Sequence, residues 1–130
     1  MDFEERLQLY TEGGMITAKD VKVIHEIIDM FEKEYGIVLT EENAGVFIAH
    51  LCAAFGRNVS KEKIPPVSKD MMQELVTLES YPKSLEILDR LRQITNGSLN
   101  STEEEYALLH INNLLATVKV NQKKGDNYGN

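Results

Sequence analysis

The chain has 130 residues, a length that suits one domain with a single moderate core. Apolar residues make up 42% and charged residues 27%, and the net charge of −7 argues against nucleic acid as a direct ligand, because phosphate binding relies on clustered Lys and Arg. No apolar run approaches the roughly 18 residues of a membrane span, and the acidic opening MDFEERLQLY is unlike a signal peptide. The composition predicts a soluble, cytoplasmic domain, with a charge that suits a partner with a basic surface.

The first half of the chain predicts three helices. Residues 1–15 form a short lead-in helix or arm that ends at a pair of glycines. The second helix begins after Thr17 as N-cap, with Asp20 in a near capping box, and it stops at Gly36. The third begins after Thr40, with acidic residues in its first turn.

The segment IPPVS then interrupts the helical path, because its two prolines remove backbone donors and favour extended geometry before them. Ser68 is expected to cap a shorter helix that runs through about Leu78. Pro82 suits the first turn of the helix that follows, YPKSLEILDRLRQIT.

The last helix is expected to open at a capping box of Thr102 and Glu105 and to run through about Lys119. Residues 121–130, NQKKGDNYGN, are expected to be a disordered tail. No convincing strand is present, so the predicted fold is an all-α compact bundle of about five helices, with residues 16–120 as its regulatory domain.

Two apolar stretches, FIAHLCAAFGRN and YALLHINNLLATVK, each contain one histidine, His50 and His110. A histidine in such a place is often a neutral core residue satisfied by hydrogen bonds. His25, beside charged neighbours on its helix, fits that interpretation and is assigned no role. Cys52 is the single cysteine, so no intrachain disulfide forms, and its apolar neighbours indicate an ordinary buried thiol.

Three chemical interpretations compete with a structural role for the two histidines. A zinc site would need three or four ligands at recognisable spacing, and neither helix offers HxxxH or HExxH. A hydrolase is disfavoured because GxSxG, P-loop and GxGxxG motifs are missing, so neither an enzyme nor a cofactor is predicted. Phosphorylation remains open, because neutral imidazole is a competent nucleophile near neutral pH.

Two patterns resemble the PTS regulation domain, a helical module of bacterial sugar-responsive antiterminators and transcriptional activators. One is an apolar helix in which Arg57 follows His50 by seven residues, AHLCAAFGR. The other is EEEYALLHI, where Glu103 and Tyr106 precede His110. The roughly sixty residues between the histidines also fit, and the likeness spans about residues 16–119.

The resemblance implies that His110 and His50 accept phosphoryl groups from the histidine-containing phosphocarrier protein or a sugar enzyme II B component. By the same resemblance Arg57 steadies the phosphoryl group, which suits arginine's bidentate fit to phosphate, although a solvated helix end would also explain it. Tyr106 and Glu103 are possible supporting residues. Phosphorylation in this family shifts dimerisation and so controls an attached nucleic-acid-binding domain.

The chain departs from the family pattern in two ways. Ala49 stands where the antiterminators usually have Asp, which removes an orienting carboxylate next to His50. No effector domain or second copy is evident, so the sequence predicts a stand-alone regulatory domain, a homodimer that binds neither nucleic acid nor membrane directly. The alternative is a non-phosphorylated helical interaction domain in which the histidines are structural.

Overall fold

A computed structural model describes residues 2–60 and 64–128, with the side chains of residues 2–57 and 64–118. This part of the chain folds into six helices and no strand, as an all-α bundle was predicted to do. The helices are α1 (Phe3–Glu12), α2 (Ala18–Tyr35), α3 (Glu41–Ser60), α4 (Lys69–Leu75), α5 (Tyr81–Thr95) and α6 (Ser101–Tyr128). None of the described helices is long and apolar enough to cross a membrane.

The predicted ends of α2 and the start of α3 are confirmed. Thr17 and Asp20 make the reciprocal capping box of α2, and Gly36 ends that helix in the left-handed conformation at φ 66°. At α3, the Thr40 amide donates to Asn43 Oδ1 at 2.8 Å, and the Asn43 amide donates back to Thr40 Oγ1 at 3.2 Å. Side-chain capping therefore fixes where both helices begin.

Two predicted helix ends are wrong. Helix α4 ends at Leu75 rather than Leu78, because the β-branched residues that follow are weaker helix formers and the Thr77 hydroxyl bonds the Glu74 carbonyl at 2.6 Å instead. Helix α6 does not end near Lys119 but continues to Tyr128. No proline interrupts this stretch, and its Gln and Lys residues extend a helix readily.

The division of the chain into an arm, a regulatory domain and a tail stays a prediction. The backbone of residues 121–128, predicted as tail, is part of α6, and residues 129–130 lie outside the described residues.

The start of α6 is also corrected. The helix begins at Ser101 with Asn100 as its cap, and Asn100 Oδ1 accepts the Glu103 amide at 2.8 Å. The predicted box of Thr102 and Glu105 would have started the helix two residues later. Asn is an equally good capping residue. With Asn100 as the cap, Glu103 lies in the first turn of α6 and faces the protein interior.

One apolar core joins all six helices, and most of its fully buried residues come from α2, α3, α5 and α6. The residues with no exposed surface include Ile24, Ile27, Phe31, Ile48, Leu51, Ile87, Leu91 and Ile111. Burial of each such side chain contributes roughly 1.5–3 kcal/mol to folding. The core therefore holds α3 and α6 against a common apolar layer.

Helices α5 and α6 are also joined by a buried polar contact. Asn112, 2% exposed, donates from Nδ2 to Ser84 Oγ at 2.7 Å and accepts the Ser80 hydroxyl at 2.6 Å. Because a buried amide needs specific partners, this contact fixes the rotation of α6 about its own axis. That rotation decides which residues of α6 face α3.

Candidate functional site

His50 of α3 and His110 of α6 lie in direct contact. Their ring centroids are 5.2 Å apart with the planes at 43°. Phe47 stacks on His110 at 5.7 Å, and Tyr106 lies 5.5 Å from His50. Both histidines are half-buried, and we call these two rings the histidine pair.

The order of these contacts shows that α3 and α6 run antiparallel. Phe47 meets His110, His50 meets Tyr106, and further along α3 Arg57 meets Glu103, so increasing numbers on one helix face decreasing numbers on the other. Helical spacing places the α3 residues on one stripe and the α6 residues on the facing stripe. The histidine pair lies near the middle of this seam.

Glu103 supplies a buried carboxylate at one end of the seam. Its side chain is 4% exposed, and both oxygens are bound by Arg57, with Nε to Oε1 at 2.8 Å and Nη2 to Oε2 at 3.0 Å. This bidentate arrangement is the strongest pairing available to a carboxylate and a guanidinium. We call it the Glu103–Arg57 clamp.

The clamp also touches the histidine pair, because His50 Nε2 lies 3.3 Å from Glu103 Oε2. The direction of this contact is unsuited to a hydrogen bond, so Nε2 is a buried nitrogen with no hydrogen-bond partner among the described residues. The His50 ring is thus close enough for the charge of the Glu103 carboxylate to act on it. It is not locked by a well-aligned bond.

Burial lowers the pKa of both histidines below the usual 6.5. For His50, the desolvation caused by burial outweighs the opposing attraction of Glu103, and the Arg57 charge lowers the pKa further. For His110, burial lowers the pKa and the nearby His50 ring adds to the effect. Both rings are therefore neutral near pH 7, the form in which one imidazole nitrogen carries a free lone pair.

Tyr106 connects the seam to the segment before α4. Its hydroxyl donates to the Pro65 carbonyl at 3.0 Å while its ring lies against His50. The proline segment is thereby tied to α6 beside the histidine pair. Tyr106 thus contacts His50 from the same helix as His110, one turn closer to the start of α6.

All five residues singled out from the sequence meet along this seam: His50, His110, Arg57, Tyr106 and Glu103. Their phosphoryl-related roles stay predictions. Sequence reasoning missed Phe47, the stacking partner of His110, although its position three residues before His50 on α3 would have indicated the same face. The carboxylate missing at Ala49 has a counterpart in Glu103, which approaches His50 from α6.

The remaining candidates lie elsewhere. Cys52 is fully buried, which confirms the predicted buried thiol, and burial raises the pKa of this thiol to about 11. His25 contacts Glu4 on the surface, with Nε2 2.8 Å from Oε1. Among the residues that the structure describes, no group of three His, Cys, Asp or Glu side chains is arranged to hold a metal ion.

The lowered histidine pKa values lead to a specific pH dependence of stability. As the pH falls below 6.5, the unfolded chain protonates both rings before the folded chain does. Full stability is therefore present above pH 6.5, and it declines below this value by up to about 1.4 kcal/mol per pH unit for each histidine until the folded pKa is reached. Urea denaturation between pH 5 and 8 measures this slope.

The double substitution His50→Phe with His110→Phe is the control for this slope, because it removes both titrating rings and keeps an aromatic seam. We expect its stability to be nearly flat from pH 8 to 5.5. Glu34 and Glu41, whose pKa values are lowered from 4.5 by bound arginines, affect stability only at more acidic pH. An equally steep slope in the double variant would contradict the assignment to these histidines.

Comparison with known proteins gives one distant relative. The chain is 23% identical over 108 residues to the uncharacterized protein YhfY of Escherichia coli (strain K12), and the match covers 83% of this chain and 90% of that protein. No family model matches the chain, and no solved structure matches it either. The likeness extends over most of both chains, and it names no activity for either.

Proposed function

We propose that the chain is a regulatory module of the PTS regulation type, in which His110 and His50 accept phosphoryl groups from the sugar phosphotransferase system. The observation that carries this proposal is the histidine pair itself. Two neutral, half-buried rings from sequence positions sixty residues apart are in contact next to a bidentate carboxylate–arginine clamp. Clustering of titratable groups with lowered pKa values is typical of functional sites.

The chemistry requires only a neutral acceptor ring. The lone pair of an unprotonated imidazole nitrogen forms a new N–P bond, the bond between phosphorus and the donor atom breaks, and its electron pair stays on the donor. The lowered pKa values of His50 and His110 keep such a lone pair present at neutral pH. Attack needs no separate base, which accords with the absence of any catalytic motif in the sequence.

The clamp provides a way for phosphorylation to change the packing of α3 against α6. A phosphoryl group adds about −1.5 to −2 charges and three acceptor oxygens, which compete for a nearby arginine. If Arg57 turns toward the phosphoryl group, Glu103 loses two charge-assisted hydrogen bonds while it is still 4% exposed. A buried carboxylate without its partner is strongly unfavourable, so the seam must rearrange.

The donor in this proposal is the histidine-containing phosphocarrier protein or a sugar enzyme II B component, both of which act in the cytoplasm. The rearranged seam alters a homodimer contact or a contact with a partner protein, and through it transcription or the activity of that partner. The net charge of −7 suits docking to a basic surface on the donor.

A second function has two observations in its favour. The ring stacking of Phe47 on His110 and the enclosure of His50 Nε2 are also what a purely structural histidine pair would show. In that case the chain is a helical interaction domain that is never phosphorylated. The two functions differ in one measurable property, the appearance of a phosphorylated species.

The test incubates the protein with phosphoenolpyruvate, enzyme I and the phosphocarrier and follows the intact mass under alkaline conditions, which preserve phosphohistidine. We expect a phosphoryl adduct in the wild type that is reduced in His50→Gln and in His110→Gln and absent from the double variant. His25→Gln is the matched control, because it removes a surface histidine and should leave the adduct unchanged. An adduct that persists in the double variant would show that another residue is the acceptor.

A further inference from the structure

We propose that Glu103 is a positioning residue that keeps the proton of neutral His50 on Nε2 and thereby makes Nδ1 the phosphoryl-accepting atom. This inference rests on the proposed function, because it concerns the regiochemistry of the same phosphorylation. Glu103 does not touch the reacting atoms in this scheme. It acts through the imidazole ring, by deciding which nitrogen has the lone pair.

The first argument is electrostatic. His50 Nε2 lies 3.3 Å from Glu103 Oε2 and is sealed from solvent. A lone pair on Nε2 would lie next to a carboxylate oxygen with no water between them. An N–H group there places partial positive charge beside that oxygen, an attraction that does not need an aligned hydrogen bond. The partner of one imidazole nitrogen selects the tautomer of the ring. The carboxylate therefore holds the proton on Nε2 and leaves the lone pair on Nδ1.

The Glu103–Arg57 clamp holds the Glu103 carboxylate in the position that selects this tautomer of His50. Both carboxylate oxygens of Glu103 are bound by Arg57, and the Glu103 backbone amide is bound by Asn100 at the helix cap. The carboxylate is thus fixed at the side chain and at the backbone, and it cannot turn away from His50 without breaking the clamp. A fixed neighbour is what a positioning role requires, since tautomer selection depends on constant geometry.

The second argument is spatial. His50 keeps 17% of its side-chain surface exposed, while its Nε2 atom is enclosed, so the exposed surface belongs to the rest of the side chain. A phosphoryl group on Nε2 would have to occupy the buried space beside the Glu103 carboxylate, and its oxygens would face another anion. A phosphoryl group on Nδ1 is attached to the other side of the ring. Charge and space thus select the same atom.

His110 lacks this arrangement. Besides burial, the His50 ring lowers the pKa of His110. No carboxylate of the described residues contributes to that shift. Its phosphorylation is therefore not directed by Glu103. The selectivity for Nδ1 is a property of His50, and it should be lost with Glu103.

The first experiment needs no phosphodonor. Long-range proton–nitrogen NMR of the ¹⁵N-histidine-labelled protein at pH 7.5 reports the tautomer of each ring, and we expect His50 to be entirely in the Nε2–H form. In Glu103→Gln, which keeps the size of the side chain, we expect a mixture of both tautomers. Glu4→Gln is the matched control, because it removes the carboxylate that contacts His25 and should leave His50 unchanged. An Nδ1–H form in the wild type, or an unchanged His50 in Glu103→Gln, would overturn the inference.

The second experiment identifies the phosphohistidine isomer formed at His50 in the His110→Gln variant. We expect the Nδ1 isomer in the presence of Glu103, and about a tenfold slower reaction with a mixture of isomers when Glu103→Gln is added. The Nε2 isomer as the main product with Glu103 intact would overturn the inference. Failure of any phosphorylation would instead refute the proposed function, and the NMR experiment would still decide the role of Glu103.

Discussion

Replacing Arg57 by Ala is expected to lower the free energy of unfolding by about 3 kcal/mol, because it leaves a buried carboxylate without its partner. Glu103 is 4% exposed and loses two charge-assisted hydrogen bonds in this variant. Water cannot replace them without opening the contact between α3 and α6. Urea denaturation at pH 7.5 and low salt measures the loss.

Arg90 provides a matched control for this experiment. It binds Glu34 in the same bidentate geometry, with both N–O distances at 2.7 Å, but its pair is exposed, at 34% for Arg90 and 40% for Glu34. Arg90→Ala should therefore cost less than about 1 kcal/mol. Comparable losses in the two variants would show that the Glu103–Arg57 clamp is as solvated as the surface pair.

A double substitution separates the effect of the paired charges on stability from the effect of side-chain volume. Arg57→Met with Glu103→Leu removes both charges and keeps most of the volume, and it should recover much of the stability lost in Arg57→Ala. Such a recovery would indicate that the charged pair is retained for a purpose other than stability. The proposed phosphoryl response of Arg57 is such a purpose.

Replacing Phe47 by Ala is expected to lower the free energy of unfolding by about 3–4 kcal/mol, because it removes a large side chain from a filled core. Phe47 is 3% exposed, packs edge-on against Phe31 with centroids 6.1 Å apart, and stacks on His110. The cavity left by the substitution would also free the His110 ring. Thermal and urea denaturation measure the first effect, and a rise of the His110 pKa toward 6.5 measured by NMR reports the second.

Val46 is the control for this substitution. It is the preceding residue of the same helix, but it is 75% exposed. Val46→Ala should therefore change the stability by less than about 0.5 kcal/mol. A small loss in Phe47→Ala, or an unshifted His110 pKa, would contradict the view that Phe47 couples the histidine pair to the core.

The boundaries of the helices could largely be predicted from the sequence, because short-range rules determine them. The box of Thr17 and Asp20 and the left-handed Gly36 need only local geometry, and both are confirmed. The start of α6 could not be predicted in the same way. Asn100 and Thr102 are both good caps two residues apart, and only tertiary packing favours the start that turns Glu103 inward.

The candidate site, too, could be predicted from the sequence only in part. The resemblance to a known family named its five residues, but no property of the sequence alone shows that they touch. Glu103 in particular has the position of an ordinary first-turn acid, which the helix dipole would explain without any tertiary role. Its burial and its pairing with Arg57, 46 residues away, depend on the antiparallel packing of α3 against α6. The tautomer of His50 is a further consequence of that packing.

Phosphorylation of the histidine pair is tested by comparing the wild type with the His50→Gln, His110→Gln double variant. Both proteins are incubated with labelled phosphoenolpyruvate and a bacterial extract, which supplies phosphocarriers and enzyme II components together. If the histidine pair accepts phosphoryl groups, acid-labile label appears on the wild type and none on the double variant. Equal labelling of the two proteins, or no label on the wild type, would contradict it and favour the interaction domain with structural histidines.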